Sequence, residues 1–383
     1  MARICIVTGI GDTVVRFRGA LLTALVQAGH EVVLSTPHGE EVRDDAIMRE
    51  VRACGAECVF SPLQRTSINP LKDRAAITHW RELFRTRAFD AVLAANPKPV
   101  FHAVPAARAA GVPRVVAMIT GLGYAFTARG MKPCVLRLIA SHLYARALHD
   151  ADCVLFQNQD DRCALAARGV RIADAKCLAI GGSGVDLGHF AQRPLPQGAP
   201  IVLMVARLLR DKGVREFAHA ARIVRAARPD VRFRLVGWID SNPSAIARAE
   251  LDGWVREGII EYGGRLDDVR DELAQCSIFA LPSYREGTPM SVLEALAVGR
   301  PIVSTDVPGC RETVCSDGGG NGVLVPAQNA EALADALLSL LATSTEHRAA
   351  MGNASRALAQ SRFDADLVNA IIFRALQISA RSA

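Results

Sequence analysis

Short apolar runs alternate with longer segments in which apolar residues recur every three or four positions. The first kind of pattern predicts buried strands and the second amphipathic helices. In the first half the runs are RICIVT (3–8), EVVLST (31–36), AECVFSP (56–62), DAVLAAN (90–96), RVVAMIT (114–120), CVLFQN (153–158) and AKCLAIGG (175–182). Helical patterns fall between several of them; one, Phe17 to Ala28, stops at Gly29. Strands separated by helices imply a parallel sheet covered on both faces. Residues 191–200, AQRPLPQGAP, break the pattern and read as a linker. The alternation then restarts with IVLMVAR (201–207), FRLVGW (233–238), IIEYGG (259–264), SIFALP (277–282), PIVSTD (301–306) and GVLVP (322–326). Residues 330–361 read as two helices and Ala365 to Ser379 as a closing amphipathic helix.

The expected architecture is therefore α/β, with two doubly wound, Rossmann-like domains facing across a cleft. Their bounds are 1–190 and 201–362, joined by the linker 191–200. The segment 363–383 is a final helix able to cross back to the first domain. A chain of 383 residues suits two cores better than one. Half the residues are apolar and 22% are charged, a soluble globular composition. No apolar run is long enough for a membrane span. The opening MARICIVTGIGD reads as a first strand, so the cytoplasm is the expected compartment.

Charge changes the picture. Residues 1–192 carry 23 Lys/Arg against 17 Asp/Glu, whereas 193–383 carry 22 against 22. The whole excess of +6 lies in the first half. It suits an anionic partner or membrane surface, or is ordinary surface variation. The ten cysteines are scattered. Cys5, Cys153 and Cys276 fall in apolar runs, and Cys54 with Cys58 lacks a second pair for zinc. The acidic doublets Asp44-Asp45, Asp160-Asp161 and Asp267-Asp268 have no histidine cluster beside them, so no metal is expected.

The richest segment is YREGTPMSVLEALAVGRPIVSTD, where Glu286 and Glu294 stand eight residues apart. A Gly287-Thr288-Pro289 turn leads into a helix, so Glu286 is expected at its mouth and Glu294 about two turns inside. The first-turn amides of Met290 and Ser291 form an anion-attracting end. Phosphates can take the amides, while carboxylates accept hydrogen bonds from ribose and sugar hydroxyls. Upstream, Arg207 and Lys212 follow the strand IVLMVAR, where a planar fork and a compact charge suit a diphosphate. A solvated loop is the alternative reading of those two cations.

In the first half, the loop GIGDTVVRFRG (9–19) resembles the start of a dinucleotide fingerprint. Val14 replaces the third glycine, however, and no acid ends the second strand, so NAD is not expected. Arg16 and Arg18 face an anion or solvent. In MITGLGYAFTARG, Thr120, Gly121, Gly123 and Tyr124 are candidates for sugar or lipid contact, with Phe126 equally a core residue. His102 could touch substrate or pack. The following helix carries an apolar stripe, Leu136, Ile139, Leu143 and Ala147, with Lys132, Arg137, Arg146 and histidines nearby. Such a helix either packs on a core or lies on a bilayer.

These residues resemble family 4 glycosyltransferases of the GT-B fold. The resemblance is carried by the E-x7-E element Glu286–Glu294, Arg207 and Lys212. It extends over FRGALLTALVQAGHEV, SINPL, KPVFHAVPAARAAGVPRVVAMITGLGYAFT, FQNQDD, GSGVDLGHF, ARLLRDKGVREF, RAELDGWVREGIIEYGG and LPSYREGTPMSVLEALAVGRPIVSTDVPGCRETV. The narrower resemblance is to the capsule and exopolysaccharide branch, which includes transferases acting on undecaprenyl-diphosphate-linked sugars. It implies an acceptor-side first domain and a donor-binding second domain. Glu294 would hold ribose, Arg207 and Lys212 the diphosphate, and Glu286 a donor-sugar hydroxyl. The amides after Gly287 would assist, as would Thr288, Met290 and Ser291, and the Gly11 loop would close over the phosphates. Arg18, His102, Thr120, Gly121, Gly123 and Tyr124 would lie on the acceptor side. Met290 departs from the branch, which often has Arg there.

The function this implies is retaining transfer of a hexose or N-acetylhexosamine from a UDP-sugar to a polyprenyl-diphosphate-linked saccharide. No cofactor, metal or nucleic acid is expected. The protein is expected to sit peripherally on the inner face of the cytoplasmic membrane. A UDP-sugar epimerase or hydrolase on the same fold, and a nonenzymatic UDP-sugar-binding protein, are the alternatives.

Overall fold

The computed structural model describes residues 1–40, 42–64, 67, 69–123, 126, 130–239, 242, 244–315 and 320–378, with 70, 132 and 133 described through the backbone alone. The chain divides into two compact units, Met1–Ser183 with Ala365–Ala383, and Gly184–Asp364.

The first unit is built on a seven-stranded parallel sheet. Its strands are β1 (Arg3–Val7), β2 (Glu31–Pro37), β3 (Glu57–Ser61), β4 (Ala91–Ala95), β5 (Arg114–Ile119), β6 (Cys153–Phe156) and β7 (Cys177–Ala179). Their order is β3-β2-β1-β4-β5-β6-β7. The helices are α1 (Val14–Gln27), α2 (Asp44–Ala53), α3 (Pro70–Arg87), α4 (Pro97–Ala109), α5 (Met131–Asp150) and α6 (Gln159–Ala166). Central strands such as β4 are buried along their whole length, which is why they read as continuous apolar runs. One face of the sheet packs Trp80, Phe84, Val104 and Tyr144, and the other packs Leu22, Leu25, Ile47 and Val51.

The second unit repeats the plan with β8 (Ile201–Val205), β9 (Arg232–Val236), β10 (Glu261–Tyr262), β11 (Ile278–Leu281), β12 (Ile302–Thr305) and β13 (Gly322–Val325). Their order is β10-β9-β8-β11-β12-β13, again parallel. Its helices are α7 (Val214–Ala227), α8 (Arg248–Arg256), α9 (Arg270–Gln275), α10 (Met290–Val298), α11 (Ala330–Ala342) and α12 (Thr345–Leu358). The last helix, α13 (Ala365–Leu376), returns to the first unit. There Val368, Ile372 and Phe373 enter the core beside α1, and Arg114 Nε donates to the Ala375 carbonyl at 2.8 Å.

Two local readings change. Residues 184–190, placed by sequence in the first domain, belong to the second unit. The Val185 amide donates to the Phe363 carbonyl at 2.7 Å, and Arg356 donates to the carbonyls of Phe190 and Leu187. The stripe on α5 is also shifted. Tyr144, Ala147 and Leu148 are buried, but Ile139 points outward and Leu136 and Leu143 are only half-buried.

Candidate active site

In the second unit the strand order reverses between β8 and β11. Loops leaving two such strands diverge, and open α/β sheets bind ligands in that crevice. The donor-side candidates leave from these strands. Arg207 lies just past the end of β8, and Lys212 ends the short 3-10 turn Arg210–Lys212. Ser283 and Glu286 follow β11, and α10 follows them.

The two loops are stitched together before the functional side chains meet. Gly213 takes a left-handed φ of 75°, and a Cβ there would lie 2.1 Å from the Pro282 carbonyl oxygen. Only glycine permits that approach. The Tyr284 amide donates to the Asp211 carbonyl at 2.8 Å, and the Tyr284 hydroxyl donates to Glu216 at 2.7 Å. Burial and the Glu216 contact push the Tyr284 phenol well above its ordinary value. On this frame Lys212 Nζ and Glu286 Oε1 stand 2.5 Å apart, and the Ser283 hydroxyl donates to the same oxygen at 2.8 Å. The Lys212 and Glu286 side chains are 18% and 12% exposed. The lysine is thus a cation held at the crevice on a carboxylate partner.

A second layer fixes Glu286 from below. Its amide donates to the Pro308 carbonyl at 3.0 Å. A Cβ on Gly309, at φ 80°, would lie 2.2 Å from the Gly287 oxygen and 2.5 Å from that of Glu286. The Thr305 hydroxyl donates to the Ser283 carbonyl, and Ser304 donates to Leu281 at 2.9 Å. Loop 283–288 therefore rests on the end of β12.

α10 begins at Met290, after Pro289. The amides of Val292 and Leu293 donate to the Pro289 carbonyl. Those of Met290 and Ser291 precede the first intrahelical bond, and no side chain caps this end. Gly287 and Thr288 are half-buried beside it, and the Met290 side chain packs on the core of the unit. Glu294 is 2% exposed. It is the fifth residue of the helix, so it lies little more than one turn inside, not two. Three of the eight intervening steps are spent on the Gly-Thr-Pro turn.

The first unit reverses strand order between β1 and β4. Here neutral hydrogen bonds bridge three strand ends. The Gly9 amide donates to Asn96 Oδ1 at 3.0 Å, and Asn96 Nδ2 donates to Thr120 Oγ1 at 2.9 Å. Asn96 takes φ 78° with ψ 157°, outside the left-handed helical well and in a region that few residues other than glycine enter. Gly11 is buried, and a Cβ on it would lie 2.7 Å from the Pro37 carbonyl oxygen. Its own neighbours therefore demand the glycine, whatever the loop does with a ligand. Gly121 and Gly123 both take positive φ. Tyr124 lies outside the described residues, and Phe126 packs into the core against Tyr144.

Arg18 is 4% exposed and donates from Nη1 to the Phe17 carbonyl and to Ser183 Oγ. Among the described residues no carboxylate pairs with it. Burial pulls its guanidinium down to about 10. His102 stands 3.4 Å from Asp73, whose other oxygen takes Lys98 Nζ at 2.6 Å. Burial opposes ionisation of Asp73, but hydrogen bonds from His102 and Lys98 prevail and hold it below its ordinary value. The structure thus brings Arg207, Lys212, Glu286, Glu294 and the α10 amides to one end of the second unit. It brings Arg18, His102 and Thr120 to the corresponding sheet edge of the first.

Sequence reading missed Ser283, Asn96, Asp73 and Lys98 as positioning groups. Asn96, Lys98 and Ser283 stand just past strand ends, which was the available signal, whereas Asp73 lies inside α3 and had none. Burial pushes the Cys276 and Cys310 thiols up to about 12 and raises that of Cys5 further, leaving them protonated. Among the described residues no three His, Cys, Asp or Glu side chains come together in a metal-holding group.

Residues 13–181 match the family model for the glycosyl transferase 4-like domain, and residues 199–343 match that for glycosyl transferases group 1. The chain is 29% identical over 352 residues to the N,N'-diacetylbacillosaminyl-diphospho-undecaprenol alpha-1,3-N-acetylgalactosaminyltransferase of Campylobacter jejuni, covering 88% of this chain and 89% of that one. It is 26% identical to the UDP-Gal:alpha-D-GlcNAc-diphosphoundecaprenol alpha-1,3-galactosyltransferase of Escherichia coli, covering 65% and 66%. Among solved structures it resembles the sucrose-phosphate synthase of Thermosynechococcus elongatus, with a TM-score of 0.80, 20% identity and 98% of each chain covered. A 4-like glycosyl transferase half followed by a group 1 half, each on its own doubly wound sheet, places this chain in the glycosyltransferase family 4 group with the GT-B fold.

Proposed function

We propose that the protein is a retaining glycosyltransferase that moves a hexose or N-acetylhexosamine from a UDP-sugar to a polyprenyl-diphosphate-linked saccharide. The observation that carries this reading is the Lys212–Glu286 pair at the switch point of the second sheet, beside the uncapped start of α10. The diphosphate takes Lys212, Arg207 and the α10 amides. Glu294 holds the ribose, and Glu286 turns a carboxylate oxygen to a donor-sugar hydroxyl. In the transfer step the bond from the anomeric carbon to the diphosphate oxygen breaks, and a bond to the acceptor hydroxyl oxygen forms on the same face. The hydroxyl proton leaves with UDP. Fixed cations and amides aimed at the departing diphosphate stabilise the charge that develops there. Charge on the diphosphate is met by side chains of the chain itself, so the reading invokes no metal.

The choice of acceptor rests on the two relatives, whose names specify diphospho-undecaprenol-linked sugars, and the choice of UDP on the second of them. Such an acceptor is anchored in the membrane, and the enzyme works at its inner face. The test is transfer of radiolabelled sugar from a panel of UDP- and GDP-sugars to lipid-linked acceptors, with the product anomer read by NMR. Transfer from a UDP donor with retention is expected. An inverted product, a GDP donor, or donor turnover only without acceptor would overturn it.

A further inference from the structure

Asn96 is held in a backbone conformation that suits glycine better. A glycine after β4 would make the same turn without the cost of a Cβ. An asparagine kept there points to a use for its carboxamide. The helix that follows does not supply one. Asn96 stands immediately before α4, where an asparagine side chain commonly accepts from first-turn amides. Here it makes no such bond. Pro97 and Pro99 have no N–H to offer, and the Val100 amide donates to the Asn96 carbonyl at 3.1 Å. The carboxamide is turned instead across the carboxyl edge of the sheet, to the loops that leave β1 and β5 on either side of β4.

The two bonds it makes there decide the direction of a third. A backbone N–H only donates, so the Gly9 amide at 3.0 Å requires Oδ1. Nδ2 is left to face Thr120 Oγ1 at 2.9 Å, and Nδ2 only donates. The Thr120 hydroxyl therefore accepts from Asn96, and its own proton points away from it. Among the described residues nothing accepts that proton. Thr120 is half-buried, and Gly121 follows it at φ 121°, so the backbone beside the hydroxyl carries no side chain. The Gly9 end of the bridge is fixed as well. A Cβ on Gly9 would lie 3.3 Å from Pro99 Cδ, and the next carbonyl, that of Ile10, accepts from Thr36 Oγ1 at 2.9 Å.

We infer that Asn96 is a positioning residue for transfer: its carboxamide sets the Thr120 hydroxyl as a hydrogen-bond donor to an oxygen of the acceptor saccharide. The inference rests on the proposed function, because it requires an acceptor at this edge of the first unit. A neutral donor suits a hydroxyl or ring oxygen of a sugar, whereas phosphate is better matched by a cation. A hydroxyl oriented in advance also loses less freedom on binding than one that rotates.

The experiment is steady-state transfer with the lipid-linked acceptor varied, beside UDP calorimetry and thermal melting. The variants are Asn96→Asp, Asn96→Gly, Thr120→Val and the double variant Asn96→Asp/Thr120→Val. The aspartate keeps an oxygen for the Gly9 amide and offers Thr120 an acceptor in place of a donor. The bridge survives, but the hydroxyl proton turns inward. Asn96→Asp and Thr120→Val should each lower kcat/KM for the acceptor about tenfold, mainly through KM, with UDP affinity changed by less than about twofold. The double variant should lose no more than either single one, whereas independent residues would multiply to about a hundredfold. Asn96→Gly removes the carboxamide and the backbone cost together, and should show the same rise in acceptor KM. It takes the place of the aspartate in the cycle if that variant does not fold. A bridge that only ties strands would leave Asn96→Asp with the wild-type KM. That result, multiplied losses in the double variant, or a loss confined to UDP binding overturns the inference and leaves the proposed function standing. A wild-type protein that transfers to no acceptor sinks the proposed function and this inference with it.

Discussion

Lys212→Met severs the ion pair at the centre of the proposed donor site while keeping most of the side-chain stem. Lys212 Nζ lies 2.5 Å from Glu286 Oε1, with the side chains 18% and 12% exposed. Exposed pairs contribute up to about 1 kcal/mol, whereas breaking a buried one costs about 3–5 kcal/mol. The Ser283 hydroxyl still donates to Glu286 after the substitution. The cost in stability should therefore fall between the limits, at about 2–3 kcal/mol. Most of it comes from a carboxylate left without its cation. Adding Glu286→Gln removes that charge while keeping an oxygen to accept from Ser283, so the double variant should regain about 1–2 kcal/mol. Activity should not follow. Both variants lack the cation proposed to face the departing diphosphate, and both should lose about 10²–10³-fold in kcat/KM. Stabilisation by UDP should shrink in both as well. Urea unfolding with and without UDP, beside radiolabelled transfer, separates the two effects. A double variant as unstable as the single one would refute the charge argument. A Lys212→Met enzyme within about threefold of wild type would refute the catalytic assignment.

Gly309→Ala should displace loop 286–287, because its Cβ would meet two carbonyl oxygens at 2.2 and 2.5 Å; kcat should fall more than stability, read by transfer and thermal melting. Glu294→Gln should weaken UDP binding about tenfold in calorimetry, as expected for loss of a charged hydrogen-bond acceptor. Asp73 is held below its ordinary value in the folded state, so the stability it contributes is present above the unfolded value of 3.8 and fades as pH falls through the folded one. Asp73→Asn should flatten that acid limb in pH-dependent melting. Arg18→Met should leave the protein equally stable or stabilise it by up to about 2–3 kcal/mol, since a buried guanidinium without a carboxylate opposes folding. The same variant should lower transfer to the lipid-linked acceptor, measured beside the melting curve.

The strands were legible because both sheets are parallel and covered on both faces. Every apolar run read from the sequence contains a strand, down to the two-residue β10 inside IIEYGG. The E-x7-E element and the two cations were legible for a related reason. They follow strand ends directly, and a strand end fixes where its loop starts. Depth was harder to read. Spacing alone does not show how many residues a turn consumes, so Glu294 was set too far into α10. Glycines were legible as constraints but not as to their cause. Gly11 looks like a ligand loop in sequence and is demanded by Pro37 in space. The partners that side chains meet across long separations left no local trace. Asn96 bridges Gly9 and Thr120, and Asp73 joins Lys98 and His102, because the strand order sets β4 between β1 and β5 and packs α3 against α4.

Two buried arginines show why burial alone does not reveal a role. Arg300 is fully buried and donates to the carbonyls of Leu273, Pro194 and Ala274, two of them at the end of α9. Each of its three nitrogens has an acceptor, so it caps a helix and fastens the linker strand of chain at Pro194. Its donors are spent on the fold. Arg18 is nearly as buried but, among the described residues, donates from Nη1 alone, to Phe17 and Ser183. A guanidinium carries five N–H groups, and a planar fork is best matched by a carboxylate or phosphate. The two switch points differ in the same sense. That of the second sheet holds a cation already set against a carboxylate, a contact that the proposed function has it exchange in part for a diphosphate. That of the first is closed by neutral amide and hydroxyl bonds, and the buried Arg18 on the helix that follows β1 donates from one nitrogen among the described residues. Under the proposed function, a donor site that binds a charged nucleotide needs its cations positioned in advance, and the proposed acceptor side gains from a charge that is completed only when the acceptor arrives.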